Sequence, residues 1–372
     1  MRVLVSYLRL KHPGGTEVYA LTVAEQLERL GHEATLVTWL EGAMSERARA
    51  RGVRVITPEA VRPGTAEVVI ASDAATMLTL AEGVPTAVRI MVMHSVEYVV
   101  QTPPQLPDAC QAVVVLSDRV QRRAEALAIV PRVVRLRHPI DLDRYRLLPW
   151  PERPPRRVAI FGHIAGGARP DSFSAACRAA GLEPSVVGLP GGTATADPER
   201  VIGEVDMVVG IGRCALEGAT ARRPVYVAGP AGVDGWLRPE LYATLERDGL
   251  SGQAVSRTDA ILPRELADPP SPDEVQALYE QVTRAHDARV HAEELVALAR
   301  ELGAPAGPVR GPADEISRLV RLELTARERA DAAERRGRGR VAYKVMRRPL
   351  PRYIAAGIRS RLARLRKRRR SS

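Results

Sequence analysis

The hydrophobic pattern of the first 150 residues repeats a short apolar run followed by a longer stretch with helical spacing. Apolar runs predict strands at 2–7, 34–39, 53–56, 67–71, 87–93 and 112–116. Helical spacing predicts a first helix that ends at Gly31 and further helices at 43–51, 74–82 and 118–129. Because strands and helices alternate, we expect a mostly parallel sheet with helices on both faces.

The same alternation starts again after a proline-rich connector at 149–156, which we interpret as a domain boundary. Strands are predicted at 156–162, 184–188, 207–211, 224–228 and 253–256, and helices at 171–181, 197–203, 213–222, 238–248, 272–285 and 287–302. The DGW triplet at 234–236 is interpreted as a turn plus a buried tryptophan.

These elements predict an α/β protein built from two doubly wound, Rossmann-like domains that face a central cleft. We place the domains at 1–150 and 156–303, followed by a helical extension with a basic amphipathic tail at 304–372.

The net charge of +11 belongs to this tail and not to the domains. Residues 335–372 hold 16 Lys or Arg and no Asp or Glu, which leaves a net charge of −5 for residues 1–334. Apolar side chains in the tail follow spacings of four, four and three residues, at Ile354, Ile358, Leu362 and Leu365. This pattern is typical of a basic amphipathic helix on a membrane surface.

We therefore expect peripheral contact between residues 335–372 and an anionic membrane, where each basic residue contributes about 1 kcal/mol. Nucleic-acid binding is not expected. Apart from Tyr343 and Tyr353, the tail lacks the aromatic side chains that stack on bases.

The cysteines Cys110, Cys177 and Cys214 are far apart and show no metal-ligand spacing. Such sparse cysteines indicate free thiols in a reducing compartment. The first ten residues have the pattern of a strand and not of a signal peptide, and no apolar run approaches the ~20 residues that span a bilayer. We expect a cytoplasmic protein that docks on the inner face of the plasma membrane.

The segment 206–229 contains the pattern with the clearest chemical meaning. It predicts a buried strand, a turn at Gly210 and Gly212, a helix from Arg213 and a second strand. Backbone N–H groups of such a turn and helix N-terminus can bind an anion. Glu217 lies in that helix, and its carboxylate can accept hydrogen bonds from two ribose hydroxyls.

This segment resembles the donor-binding loop of retaining GT-B glycosyltransferases of the family-4 type, in which a similar run carries a ribose-binding glutamate. The N-terminal region is similar to the opening of the same family, with Gly14, Gly15 and Glu17 followed by the GHE triplet at 31–33. RHPIDLDRY at 137–145 resembles the segment that closes the family's first domain. The resemblance spans roughly residues 1–300 and implies the GT-B fold.

The resemblance also implies the roles of individual residues. On the acceptor side it implies Gly14 and Glu17, with His94 at a strand end as a catalytic residue beside the transferred sugar. Glu97 is added as an acceptor contact because it lies near His94 in the sequence.

On the donor side the resemblance implies Gly15, Gly212 and Glu217. The family also has an arginine and a lysine after the first strand of its second domain. Here His163 stands at the place of the arginine and Arg169 one place beyond that of the lysine, and Arg213 at the helix N-terminus is assigned as a substitute cation. Glu217 is also assigned to the catalytic set. No bound metal and no cofactor are expected, because these enzymes stabilise the leaving diphosphate with side chains and amides.

Another position also departs from the family pattern. The family carries a second acid eight positions before the ribose-binding glutamate, and here that position is Val209. The expected function is transfer of a sugar from a nucleotide-diphosphate donor to a glycan, lipid-linked or small-molecule acceptor. Two alternatives stay open: a non-catalytic GT-B protein that binds sugar nucleotide or glycan, or scaffolds other proteins, and a GT-B sugar epimerase.

Overall fold

A computed structural model describes residues 1–96, 98–127, 132–145, 156–161, 169–188, 195–229, 232–255, 261, 263–304 and 309. These residues belong to one compact unit, Met1–Ala313. The predicted tail helix, and residues Glu97 and His163, lie outside the described part of the chain.

Among the described residues, seven parallel strands form the first sheet. They are β1 (Arg2–Ser6), β3 (Glu33–Val37), β5 (Arg54–Ile56), β6 (Val68–Ala71), β7 (Val88–Met93), β8 (Ala112–Val115) and β9 (Arg132–Arg135). Their order in the sheet is β5-β3-β1-β6-β7-β8-β9. Two short strands, β2 (Arg9–Leu10) and β4 (Leu40–Glu41), pair with each other.

Helices cover this sheet at the positions that the spacing predicts. They are α1 (Gly15–Arg29), α2 (Ala43–Ala50), α3 (Ala74–Gly83) and α4 (Asp118–Glu125). Gly31 ends the first helix with a φ of +80°, a conformation that glycine adopts without steric cost. Asp73 and Ser117 cap α3 and α4 by accepting hydrogen bonds from the backbone N–H groups of Thr76 and Val120.

A second sheet of five strands follows within the described ranges. The strands are β10 (Arg157–Phe161), β11 (Glu183–Val187), β12 (Met207–Gly210), β13 (Val225–Gly229) and β14 (Gly232–Trp236). Their order is β11-β10-β12-β13-β14, and only β14 runs antiparallel to its neighbour. The helices that follow these strands are α5 (Arg169–Ala179), α6 (Pro198–Glu204), α7 (Arg213–Thr220), α8 (Pro239–Arg247), α9 (Pro263–Leu266), α10 (Pro272–Ala285) and α11 (Ala288–Leu302).

The prediction of a strand at 253–256 is wrong, and so is the interpretation of 234–236 as a turn. Residues 234–236 lie in the edge strand β14, and 253–255 are irregular. The buried Asp234 carboxylate accepts hydrogen bonds from the N–H groups of Ala254, at 3.2 Å, and Val255, at 2.8 Å. These N–H groups are therefore satisfied by a side chain and not by a neighbouring strand.

Strand β9 was missed by the hydrophobic pattern because arginines flank its only two apolar residues. It forms the edge of the first sheet beside β8, where one side of the strand is free to carry charge.

The two sheets, which we also call the first and second layers, are connected by the segment between β9 and β10. The segment between α10 and α11 returns the chain to the first layer and pairs with this connection. The N–H of Ile140 donates to the carbonyl of His286 at 2.7 Å, and the N–H of Ala288 donates to the carbonyl of Ile140 at 3.0 Å. Helix α11 then packs against α1 and β7 of the first layer. Across the described residues, no helix is both long and apolar enough to span a membrane.

Candidate functional site

The two glycines at the start of α1, Gly14 and Gly15, have different surroundings. A Cβ on Gly14 would lie 2.5 Å from the Glu17 carboxylate, whereas a Cβ on Gly15 would meet no atom within 4 Å. Glu17 is buried and accepts a hydrogen bond from Arg9 Nε at 3.2 Å. Gly14 therefore leaves room for a buried carboxylate, while Gly15 borders open space at the helix N-terminus.

Burial shifts the pKa of the Glu17 carboxyl upward, and the neighbouring Arg9 guanidinium opposes this shift. Glu17 thus lies under the glycine turn and supports it. Its carboxylate is held by Arg9 and not aimed at open solvent.

His94 lies directly after β7, at the carboxyl edge of the first sheet. Its Nε2 is 3.0 Å from the hydroxyl of Ser72, which follows β6. Its ring meets that of Tyr19 edge-on, with the centroids 4.6 Å apart. Burial, with a smaller contribution from His291, lowers the pKa of His94 to about 3, so the imidazole is neutral near pH 7 and can donate or accept one hydrogen bond.

Four rings from distant parts of the chain meet here, and we call them the histidine–tyrosine cluster: Tyr19, His94, His138 and His291. The Tyr19 hydroxyl and His291 Nε2 are 2.8 Å apart. The Tyr19 ring also meets the His138 ring edge-on at 6.1 Å. Burial lowers the pKa of both His138 and His291.

The histidine–tyrosine cluster was predicted only in part. His94 was singled out, and His138 stood in the quoted segment 137–145, but Tyr19 and His291 were missed. Tyr19 lies in α1, two residues after Glu17, and His291 lies in α11, so only the fold brings them together.

The turn before α7 has the geometry that the glycines suggested. β12 ends at Gly210 and α7 begins at Arg213, and Gly212 between them has a φ of +56°. Only glycine adopts this conformation readily. The connection is therefore two residues long, which leaves no loop to carry a further side chain over the helix N-terminus.

Arg213 and Glu217 form a buried ion pair on one face of α7. Arg213 Nε donates to Glu217 Oε1 at 2.7 Å, and the exposed fractions of the two residues are 6% and 2%. Arg213 Nη1 also donates to the carbonyl oxygen of Pro139 at 2.8 Å, and Nη2 lies 3.5 Å from the Thr22 hydroxyl. Arg213 thus links α7 to α1 and to the segment around Pro139, which lies between β9 and β10.

These contacts connect the predicted residues near the first glycine turn, at Gly14 and Gly15, with those near the second, at Gly212 and Glu217. α1, which begins at Gly15, contacts the Arg213 guanidinium through Thr22, and Arg213 holds Glu217. Arg213 is therefore engaged by protein groups, and its guanidinium points to the first layer. Arg169 begins α5, after β10, two residues before the helix start predicted at 171.

Val209 lies in β12 with no exposed surface, inside the apolar core that includes Phe173 and Cys177. The neighbouring Val208 packs on the opposite side of the sheet with Leu216. The position that carries an acid in the family pattern thus belongs to a core strand in this chain, and a charge there would be costly.

The described residues contain no cluster of three or more His, Cys, Asp or Glu side chains with metal-binding geometry. Cys214 follows Arg213 in the first turn of α7. Burial, followed by the charge of Glu217, raises the pKa of its thiol to about 12, so it is protonated at neutral pH.

No protein-family model matches the chain, and neither does any curated protein. Solved structures do match over most of its length. HepE (Alr3699) from Anabaena, in complex with UDP and glucose, aligns with a TM-score of 0.55 and 13% identity, over 81% of this chain and 99% of HepE. An α-glucosyltransferase bound to UDP and a 13-mer DNA aligns with a TM-score of 0.52 and 12% identity, over 81% and 99% of the two chains.

The chain has the GT-B fold. A variant of TarM from S. aureus, in complex with UDP, gives a further match with a TM-score of 0.51 and 9% identity, over 80% of this chain and 99% of TarM. At these identities the similarity shows the fold alone. The histidine–tyrosine cluster lies at the carboxyl edge of the first sheet. The Arg213–Glu217 pair follows β12 at the carboxyl edge of the second sheet.

Proposed function

We propose that this chain is a glycosyltransferase that moves a sugar from a nucleotide-diphosphate donor to a glycan, lipid-linked or small-molecule acceptor, with retention of configuration. The observation that carries the proposal is the contact between the two sheet edges. Arg213 directly follows Gly212, in the turn after β12 of the second sheet. Its Nη2 lies 3.5 Å from the hydroxyl of Thr22 in α1, the helix that begins at Gly15 beside the first sheet. The GT-B neighbours HepE and TarM, which were solved with UDP, support it.

The donor side is assigned to the second sheet. Glu217 Oε1 is held by Arg213, and Oε2 has no hydrogen bond to any described residue, so it retains acceptor capacity for a ribose hydroxyl. Arg213 acts as the positioning residue for this carboxylate. The diphosphate is assigned to the helix N-terminus after Gly212 and to Arg169 and His163, together with the N–H groups near Gly15.

The acceptor side is assigned to the first sheet. His94, neutral and held by Ser72, orients a hydroxyl of the transferred sugar or of the acceptor. Gly14 and Glu17 shape the loop that the acceptor approaches, and Glu97 is assigned to the acceptor because it lies near His94 in the sequence. Leaving-group charge is stabilised by side chains and amides, without a bound metal.

A thermal-shift panel with UDP, GDP, ADP and TDP tests the donor site. A ligand that binds only the folded state raises the melting temperature. We expect one nucleotide to raise it in the wild type and in the control Glu240→Gln, whose side chain is exposed on α8. The shift is expected to be lost in Glu217→Gln, which keeps the shape of the side chain but removes its charge. If none of the four nucleotides shifts the wild type, the donor-site assignment is wrong.

A second candidate is a non-catalytic GT-B protein that binds a sugar nucleotide or a glycan. One observation favours it: the position of the family's second acid is Val209, buried in β12. The two candidates separate on turnover. Nucleotide binding without release of nucleoside diphosphate from any nucleotide sugar supports the binding protein.

The basic tail, which lies outside the described residues, is proposed to hold the protein on an anionic membrane at the inner face of the plasma membrane. Co-sedimentation with vesicles that contain phosphatidylserine tests this. We expect the full chain to sediment and a chain without residues 335–372 to stay in solution. Equal sedimentation of the two proteins contradicts the assignment.

A further inference from the structure

Three arginines of the first layer converge on one carboxylate of the second layer. We call Arg47, Arg51 and Arg144 the arginine triad. Arg47 Nη2 donates to Asp197 Oδ1, and Arg51 Nη2 and Arg144 Nη2 lie 3.6 Å and 3.9 Å from the same oxygen. Arg47 and Arg51 lie in and directly after α2, and Asp197 precedes α6.

The charges around the triad balance only when Asp197 is included. Glu25 accepts hydrogen bonds from Arg51 at 2.9 Å and 3.2 Å, and Glu199 accepts one from Arg144 at 2.6 Å. Each of these pairs neutralises one arginine. The remaining positive charge is compensated by the Asp197 carboxylate.

The carboxylate leaves donors of the triad unused. The Nε atoms of Arg47 and Arg144 are buried and have no hydrogen-bond partner among the described residues. Buried donors without an acceptor are costly, so each of these Nε–H groups can donate to the oxygen of an added ligand. Beside the triad lies a cavity of about 580 Å³. Its charged lining consists of Arg29, Arg51 and Arg144 together with the carboxylates of Glu25, Glu28, Asp141 and Glu199.

A tetrahedral oxyanion matches this arrangement better than a carboxylate does. A phosphate group on a ligand offers three unesterified oxygens, and free sulfate four, where Asp197 offers two, and guanidinium groups bind such anions with paired N–H donors. Among the described residues, Asp197 accepts a hydrogen bond from Arg47 Nη2 alone, so the further oxygens of such an anion are acceptors for the Nη2 donors of Arg51 and Arg144 and for the two unused Nε donors.

We propose that the arginine triad is an oxyanion-binding site that Asp197 fills as an internal ligand, and that a phosphate group on a soluble ligand competes with Asp197 for it. Because Asp197 belongs to the second layer, release of its carboxylate removes a link between α2 and the segment before α6. The triad lies away from the glycine turn of the proposed sugar-transfer site, although the charge of Glu217 still acts on Arg144. Glu25 lies ten residues after Gly15 along α1, about 15 Å at 1.5 Å per residue.

The test compares sulfate binding by the wild type and by Asp197→Asn, measured by calorimetry on the full chain in chloride of matched ionic strength. Removing the internal competitor raises the fraction of free sites, so we expect Asp197→Asn to bind sulfate about tenfold or more tightly than the wild type. Its melting temperature is expected to fall in chloride and to recover in sulfate.

Matched variants assign the effect to the triad. Arg47→Gln combined with Asp197→Asn is expected to lose both the sulfate affinity and the recovery. Arg49→Gln, on the same helix but paired with the exposed Glu41, is expected to leave both unchanged when combined with Asp197→Asn.

The proposal is overturned if sulfate and chloride act equally on Asp197→Asn, or if the wild type and Asp197→Asn bind sulfate with the same affinity. If Asp197→Asn yields no folded protein in chloride, purification in sulfate is expected to recover it. Failure of sulfate to do so overturns the proposal as well.

Discussion

At the scale of single residues, Arg213 defines how Glu217 can act. Its guanidinium fork contacts a carboxylate, a backbone carbonyl oxygen and a hydroxyl, and Arg213 and Glu217 are both largely buried. A guanidinium with this set of acceptors is fixed in direction. Glu217 is therefore held in one orientation, and a ribose hydroxyl would meet a carboxylate that needs no rearrangement.

Arg213→Gln is expected to destabilise the fold by about 3–5 kcal/mol, because Glu217 would remain buried without its partner. Urea unfolding measures this loss. The control Arg178→Gln, which changes an exposed arginine of α5, is expected to stay within about 0.5 kcal/mol of the wild type. Leucine at both 213 and 217 removes both buried charges and is expected to recover most of the stability. A double variant as unstable as Arg213→Gln would contradict the ion-pair explanation.

The glycine pair makes a second test at this scale. Gly14→Ala places a Cβ against the Glu17 carboxylate and is expected to lower the melting temperature. Gly15→Ala enters open space at the first position of α1 and is expected to leave the melting temperature unchanged or higher. Because that space is assigned to the donor, Gly15→Ala is expected to weaken nucleotide binding. The assignment of Gly15 to the donor is wrong if both variants bind the nucleotide as the wild type does.

At the scale of elements, β14 depends on a polar side chain that has no solvent contact. Asp234 has an exposed fraction of 0% and satisfies two backbone N–H groups of the segment 253–255. Asp234→Asn leaves one acceptor oxygen for two donors, so we expect a loss of about 1–3 kcal/mol in urea unfolding. The control Asp268→Asn, at an exposed position, is expected to change stability little. A loss of the same size in both variants would show that Asp234 does not hold this segment.

The central strands and the helices other than the four-residue α9 were predicted from the sequence because apolar runs or helical spacing extend over most of their length. β7, with six buried residues in a row, and α1, with its apolar stripe and Gly31 as its stop, are examples. Of the edge strands, β5 and β11 were predicted in this way, at 53–56 and 184–188, whereas β9 and β14 were not. β9 is half arginine, and β14 contains two glycines and an aspartate whose partners lie about twenty residues away.

At the scale of the whole molecule, the histidine–tyrosine cluster connects α1, the end of β7, α11 and the segment between β9 and β10 that contains His138, through rings that stay uncharged near pH 7. His291 has an exposed fraction of 2%, and burial lowers its pKa to about 3 from the ordinary value of 6.5. Between these pH values the unfolded chain binds a proton that the folded chain does not. The contribution of neutral His291 to the free energy of unfolding is therefore fully present above pH 6.5 and is lost progressively as the pH drops toward 3.

We expect the free energy of unfolding to fall by up to about 1.4 kcal/mol per pH unit for each such histidine. His291→Gln removes one titrating group and keeps a polar partner for the Tyr19 hydroxyl. Urea unfolding between pH 7 and pH 5 is expected to show a smaller slope in His291→Gln than in the wild type. Equal slopes would contradict a neutral, buried His291.

The candidate site was predictable only where its residues carry local signals. Gly14, Gly15, Gly212 and Glu217 follow strands or open helices and stand out in the sequence. The contact of Arg213 with Pro139 and Thr22 depends on how two sheet layers meet, with sequence separations of 74 and 191 residues. No local pattern encodes such a contact, and the same holds for Tyr19 and His291.

The most direct test of the proposed glycosyl transfer is the rate of nucleoside-diphosphate release from nucleotide sugars of the base that binds best, with and without a panel of glycan and lipid acceptors. The proposed function predicts release that depends on an acceptor and that falls about tenfold or more in Glu217→Gln. Release is expected to persist in Glu240→Gln. A protein that binds the nucleoside diphosphate but releases none from any nucleotide sugar would contradict the transferase proposal.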